Sequence, residues 1–288
     1  MIDVHAHINY SNFPRDNTVS GAGDDENKPT LDTMINHAKN ASIEHIVAVS
    51  ESIHDAHDIF EIAAASDNFI WPARGLHPVQ CDDNKDERSV NWNDFEMFEP
   101  LLQDAIQHKK ICCIGEVGLD FTPRILANNS GNQTQDEIKD MQRAIFKRQV
   151  QMAMEANLPV NVHSRSAGHH ALDILYECKA TKVIMHAFDG RASYTKKAVE
   201  AGYYFSIAPI VVRSPQKQTL VKNVPLSNLL LESDAPALGP EKGVDNEPAN
   251  LMMAAREIAR IKEISLDQVI EATTSNARQL FSCWEGAA

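Results

Sequence analysis

The sequence has no apolar run approaching the roughly 18 to 20 residues that a membrane-spanning helix requires. It opens on MIDVHAHINY, without a basic segment leading into an apolar stretch and without arginine enrichment. A transmembrane anchor, a secretory signal and a mitochondrial transit peptide are therefore not expected, and the chain reads as intracellular, cytoplasmic or nuclear. Cysteine is scarce. The five (Cys81, Cys112, Cys113, Cys178, Cys283) are odd in number and show no CxxC spacing, so they read as reduced thiols rather than a disulfide framework. Basic charge is in deficit: 27 Lys plus Arg against 40 Asp plus Glu give a formal charge of −13. That disfavours a broad basic face gripping nucleic acid. It leaves room for an acidic protein that holds a phosphate substrate through metal ions. No internal repeat, no Pro/Gly/Ser linker and no GxxxxGK[ST] phosphate loop occurs.

What is present is an ordinary globular composition, 43% hydrophobic and 23% charged over 288 residues. A chain of this length buries roughly three quarters of its unfolded surface, so it needs neither disulfides nor a structural metal in order to fold. Short β-branched apolar runs without polar alternation predict eight buried strands, near 2–4, 43–49, 69–73, 111–115, 158–162, 182–185, 203–206 and 228–231. Helical periodicity follows each strand, at 30–41, 55–66, 92–109, 136–157, 168–178, 193–201, 215–223 and 249–262. A further helix at 265–281 starts on Ser265, a plausible N-cap. Eight strand–helix units favour an α/β (β/α)8 TIM barrel over a doubly wound sheet, as one domain over residues 1–284. The polar stretches 20–29 and 126–134 read as surface loops, and the last four residues as frayed.

Chemistry gathers just past the strands. His5 and His7 flank Ala6, and alternation along an extended chain aims both imidazoles the same way. With 12 histidines in the chain, chance alone supplies about 0.5 such pairs, so the pair means little by itself. Glu116 ends the fourth apolar run, where an unpartnered carboxylate is costly. His163 follows the fifth, His186 the sixth and Asp234 the eighth. Taken singly, each has a bland reading as a core histidine or a turn acid. Barrel strands, however, converge at their C-terminal ends on one face. There His5, His7, Glu116, His163, His186 and Asp234 form a ligand set for two divalent ions, or three, of Zn²⁺, Mn²⁺ or Mg²⁺. Glu116 is placed to bridge, with His5, His7 and Asp234 on one ion and His163 and His186 on the other. Glu116 and Asp234 are also the catalytic candidates, Asp234 as acceptor of a water proton.

Arg165 reads equally as a phosphate clamp or as a salt bridge to a loop carboxylate. His77, after the third strand, could donate to a phosphate. Glu247, at a helix start, could orient a ligand or merely face the helix dipole. His54, His57 and the pair His169–His170 read as surface residues, and Cys112–Cys113 as small apolar packing. Lys139, Arg143, Lys147 and Arg148 form a basic stripe that reads as a solvated face before it reads as a DNA track.

The segments HAH at 5–7, GEVGLD at 115–120, VHSR at 162–165, HAFDG at 186–190 and ESDAP at 232–236 occur in an order and spacing that resemble the TatD family of metal-dependent deoxyribonucleases over nearly the whole chain. GLHPVQ, ALGPEK and NEP point to its animal branch. The resemblance implies a TIM barrel that hydrolyses DNA phosphodiesters by metal-activated water, as a 3′-5′ exonuclease and at abasic sites. It implies DNA ends or damaged DNA as the partner. It also carries the six ligands above and makes His77 a substrate-phosphate contact. The chain departs from many bacterial members at Val79, where they have a second histidine, and at Ser233, where they have threonine. The competing class is an amidohydrolase-type enzyme acting on a small amide, ester or lactone. Many of those bridge their ions with a modified lysine after the fourth strand, where this chain has Glu116. A non-catalytic metal-binding protein is the third reading. A monomer is expected, with no obligate protein partner and no membrane.

Overall fold

A computed structural model describes residues 1–15, 28–82, 84–128 and 133–284. The loop expected at 20–29 lies outside these residues except for its last two positions. The centre of the 126–134 loop and the four terminal residues expected to fray lie outside them as well.

Strands β1 (Ile2–Ala6), β2 (His45–Ala48) and β3 (Ile70–Pro72) pair side by side in parallel. A short antiparallel hairpin follows, β4 (Val79–Cys81) with β5 (Glu87–Ser89). The second parallel arc runs β6 (Ile114–Asp120), β7 (Val160–Arg165), β8 (Val183–Met185), β9 (Tyr204–Ile207) and β10 (Leu229–Leu231), each beside the next. Single hydrogen bonds join the two arcs. At one seam Cys112 N–H donates to Pro72 O at 2.8 Å and Gly115 N–H to Arg74 O at 3.1 Å. At the other, Asp234 N–H donates to His5 O and His7 N–H to Ala235 O, both at 2.9 Å. The architecture is the expected (β/α)8 barrel.

Helices α1 (Leu31–Asn40), α2 (Ile53–Ala65), α3 (Trp92–Gln107), α4 (Pro123–Ala127), α5 (Gln135–Ala156), α6 (Gly168–Glu177), α7 (Thr195–Glu200), α8 (Pro215–Asn223), α9 (Leu251–Lys262) and α10 (Leu266–Leu280) complete the chain. Capping boxes at Ser52, Asn91, Thr134 and Ser265 start four of them by satisfying N-terminal amides that have no partner within the helix. The core forms two layers that alternate along the strands. Ile46 and Ala48 of β2 join the large cluster packed under the helices, while Val47 between them joins a smaller one with Val4, Trp71, Ile184, Leu230 and Phe281.

The strands that carry chemistry run further than apolar patterning predicts. β6 covers Ile114–Asp120, all seven residues buried, so Glu116 and Asp120 lie inside the strand and not after it. Likewise His5 lies within β1 and His163 within β7. Patterning stops at a carboxylate or an imidazole, but backbone pairing does not once partners across the barrel receive the side chain. The hairpin and α4 were not predicted. A three-residue strand such as Val79-Gln80-Cys81 is too short to show a period.

Buried glutamines on α5 tie this helix to two segments of the barrel mouth. Gln142 accepts from Asp120 N–H at 2.9 Å and donates to Asp120 O at 3.0 Å. Gln149, seven residues on and so on the same helical face, accepts from Leu76 N–H at 2.9 Å and donates to Leu76 O at 3.1 Å. Gly118 sets the approach of β6 to β7. Its φ is +152°, and a Cβ placed there would stand 2.0 Å from the carbonyl oxygen of His163. Gly118→Ala should therefore lower stability in urea unfolding by roughly 2–3 kcal/mol. Gly243→Ala, at φ +77° with open space around it, should cost only about 1 kcal/mol. Equal losses would show that the contact with His163 is not limiting.

Candidate metal centre

Five of the eight barrel strands deliver the six predicted ligands to one mouth. His5 and His7 come from β1 and the residue just past it, Glu116 from β6, His163 from β7, His186 from just past β8 and Asp234 from just past β10. Carboxylate oxygens of Glu116 and Asp234 crowd around the two imidazoles of the β1 segment. His5 Nε2 and His7 Nε2 are 3.4 Å apart. Asp234 Oδ1 is 3.5 Å from the first and 3.3 Å from the second. Glu116 Oε2 is 3.5 and 3.6 Å from the same two atoms. These separations exceed a good N–H···O hydrogen bond. They are close to the donor–donor separation of about 3.3–3.4 Å around a four-coordinate cation with bonds of about 2.0–2.1 Å. The residues present fit a divalent ion.

The other carboxylate oxygen of Glu116 faces a second group. Oε1 is 2.7 Å from His163 Nδ1, 3.7 Å from His77 Nε2 and 3.8 Å from His186 Nε2. His186 Nε2 is also 3.7 Å from Asp234 Oδ1, and its ring stacks on His5 at 3.5 Å. It therefore stands between the two groups rather than in the second alone. His77, expected only near substrate, stands within the second group. His163 is held by a short hydrogen bond to Glu116, so this half of the site is less open than the first.

Partners behind the ligands fix which nitrogen faces inward. His5 Nδ1 donates to Asn161 Oδ1 at 2.9 Å, and Asn161 is itself oriented by donating to Val4 O at 3.0 Å. His186 Nδ1 donates to Glu232 Oε2 at 2.7 Å, and Ser206 Oγ and Ala187 N–H also donate to Glu232. Each proton so placed leaves an Nε2 lone pair aimed into the site, as metal-binding histidines require. Asp120 receives His163 Nε2 at 3.3 Å. Asp3 accepts from His5 N–H at 3.2 Å and Ser233 N–H at 2.9 Å, linking the segments that carry His5 and Asp234. Sequence reasoning missed all four. A signal existed, because Asn161 lies two residues before His163, Glu232 two before Asp234 and Asp120 four after Glu116. An even spacing along an extended chain keeps side chains on one face.

Charge compensation sets the proton affinities. Burial works against a charged Glu116, but His77, His5, His163 and His186 outweigh it and hold its carboxyl well below the usual range. Burial likewise opposes ionisation of Asp234, and His186, His7 and His5 pull it below its ordinary value. Burial also disfavours the imidazolium of His7, yet Glu51, Asp234 and Glu116 lift it to about 10. His163 reaches about 9, with Glu116 and Asp120 overcoming burial. Asp3, with few counter-charges, is pushed up to about 7 by burial.

Other expectations resolve differently. Arg165 ends β7 exposed and forms no side-chain hydrogen bond or ion pair among the described residues, which leaves its guanidinium free at the mouth. Glu247 pairs with His37 Nδ1 at 2.9 Å and orients no ligand, because the loop after β10 carries it out to α1. His57 pairs with Glu61 on the surface of α2. Cys112 and Cys113 are buried in the smaller apolar cluster.

A barrel of this kind with histidine and acid ligands at the strand ends defines the class of metal-dependent hydrolases. The family pattern described as "TatD related DNase" matches residues 2–282, and the chain belongs to that family. It is 42% identical to "Deoxyribonuclease TATDN3" of Homo sapiens, covering 98% of this chain and 94% of that protein. It is 30% identical to the "Uncharacterized metal-dependent hydrolase YabD" of Bacillus subtilis, covering 98% of both. Among solved structures, the TatD homologue YJJV of Escherichia coli superposes with a TM-score of 0.76 at 22% identity over 98% of both chains.

Two outcomes follow from this geometry. His7 and His163 hold protons at pH 7, and a cation needs them neutral, so binding Zn²⁺ or Mn²⁺ at pH 7 should release at least two protons. The release should shrink, and apparent affinity rise, as pH climbs through 9 to 10. Calorimetry in buffers of different ionisation enthalpy measures it, and a buffer-independent heat would contradict it. Glu232→Gln should loosen metal binding about 10–100-fold by chelator competition, because His186 loses its carboxylate partner.

Proposed function

We propose that this chain hydrolyses phosphodiester bonds in DNA, at 3′ ends and at abasic sites, and that residues 1–284 act as one catalytic domain. The observation that carries this reading is the split environment of Glu116. One carboxylate oxygen faces His5 and His7, and the other faces His77, His163 and His186. That is the arrangement two neighbouring cations sharing a bridge need, and it occupies the position where amidohydrolase-type enzymes carry a modified lysine. Two divalent cations, or three, of Zn²⁺, Mn²⁺ or Mg²⁺ would supply a water acidified at neutral pH and neutralise charge on the phosphoryl group.

The chain's own residues do the rest. Asp234 stays ionised among three imidazoles, so it accepts the proton of the attacking water. His77 is held by burial as the neutral imidazole, and Val79 N–H points at its Nδ1 at 3.1 Å. Val79 O already receives Gln80 Nε2, which favours the tautomer with hydrogen on Nε2. That N–H donates to a phosphate oxygen. Arg165, unpaired among the described residues, clamps the same phosphate. Asp120 and Glu232 hold His163 and His186 in place. DNA is the partner, no other protein is required, and a monomer suffices. Among the described residues, no helix is long and apolar enough to cross a membrane.

The test is metal add-back to chelated protein with end-labelled single-stranded, duplex and abasic DNA. Wild type should regain cleavage with Mn²⁺ or Zn²⁺, while Glu116→Gln and Asp234→Asn should lose it at least 100-fold. Variants as active as wild type would overturn the mechanism. Faster turnover of a panel of esters and lactones than of DNA would overturn the substrate.

A further inference from the structure

Among the strands of the second arc, β9 alone brings no candidate ligand to the mouth. Its strand–helix unit reaches the centre by another route. Ser206 Oγ, on β9, donates to Glu232. Lys217, on α8, donates through Nζ to Ala187 O at 2.6 Å and to Phe188 O at 2.8 Å, the two carbonyls that follow His186.

Lys217 stands where a helix least favours it. Ser214 is the N-cap of α8, Pro215 the first helical residue, and Ser214 Oγ accepts from Lys217 N–H at 3.4 Å. A cation in this first turn meets the positive end of the helix dipole, and a Glu or Gln at the same position would close a capping box. Burial also works against the ammonium and lowers its proton affinity, with Asp189, Glu232 and Asp234 opposing that and Arg165 adding to it. Yet its two bonds go to carbonyls and not to a carboxylate. A residue that breaks a local preference is kept for a tertiary reason.

That reason is the turn at Ala187. Its φ is +36°, in the left-handed region that a side chain disfavours. The residue is gripped from both sides: its N–H donates to Glu232 Oε1 at 3.0 Å, and its carbonyl receives Lys217. The other oxygen of Glu232 takes His186 Nδ1. Phe188, fully buried against Gly190, anchors the turn further on, but an apolar ring gives no direction to a carbonyl. Gln216 Nε2 adds contacts at 3.2 Å to Asp189 O and Oδ1. The ammonium thus keeps Ala187 in its strained conformation, and that conformation decides where the neighbouring imidazole lies. His186 has little latitude. Its Nε2 is 3.7 Å from Asp234 Oδ1 and 3.8 Å from Glu116 Oε1, between the two groups of donors, and metal–ligand distances tolerate only about 0.2 Å. We propose that Lys217 is a positioning residue for His186, acting through the carbonyls of Ala187 and Phe188. The inference deepens the reading of the mouth as an ion centre and rests on it for the effect on metal binding.

The test uses the full chain with Lys217→Ala, which leaves a good helix former in α8. In metal-free protein, NMR should show the Nδ1 proton of His186, bonded to Glu232, exchanging with water about tenfold faster than in wild type. The Nδ1 proton of His5, bonded to Asn161, should keep its rate, whereas a general loosening would speed both. Propylammonium, which replaces the deleted stem and charge in the half-buried gap, should restore the His186 rate, and 1-propanol should not. Zn²⁺ affinity by chelator competition should fall about tenfold and recover with propylammonium. An unchanged His186 rate, an equal acceleration of both protons, or rescue by 1-propanol as well overturns the role of Lys217. The two readings fail separately. A His186 proton that depends on Lys217 in a protein that takes up no Zn²⁺ removes the ion centre and leaves the positioning role standing.

Discussion

A carboxylate that is 2% exposed, like Glu116, cannot stay in a barrel without positive charge around it, and the mouth is built to supply that charge. An isolated buried ion would instead take up a proton. Glu116 is held ionised because imidazoles from four other segments face it, and His7 and His163 keep their protons at neutral pH because carboxylates face them in turn. Each half of the cluster explains the other's burial. The surplus of imidazole nitrogens over hydrogen-bond partners then makes it a receptor for cations. A dication replaces protons in the same places and meets the same carboxylates.

Such a cluster must also be rigid, and rigidity comes from residues that touch no substrate. Asn161 and Glu232 fix the tautomers of His5 and His186. Asp3 joins the segments bearing His5 and Asp234 through two backbone amides. Gln142 and Gln149 extend this support outward, so that one long helix holds both the Asp120 segment and the turn leading to His77. Gly118 lets β6 approach the backbone of His163 more closely than any side chain permits. These groups are buried and hydrogen-bonded, and their loss would act on the ligands through geometry rather than through charge.

The acidity of the whole chain and the local character of the mouth are separate facts. A formal charge of −13 repels a polyanion at long range, so affinity has to come from contacts at the site. The candidate ion ligands, the Arg165 guanidinium, unpaired among the described residues, and the cavity beside Lys139 and Arg143 lie on one side of the barrel.

The alternation of apolar runs and helical periods was enough to give the (β/α)8 order, because burial of each strand and the amphipathic face of each helix are local properties of the sequence. The rule that barrel strands converge at their C-terminal ends was enough to gather the six candidate ligands. Periodicity could not reveal where polar residues remain inside a strand, as Glu116 and Asp120 do in β6, since their burial depends on partners more than forty residues away. The roles of Asn161, Glu232 and Asp120 were half visible as even spacings, but only packing showed which imidazole each one meets. Glu247 shows the converse, a motif residue carried by its loop to His37 on the outside. His169 is solvent-facing, as the sequence reads it, and only packing shows His170 half-buried beside Phe121. Sequence dictates what each segment buries, while proximity between segments is a property of the closed ring alone.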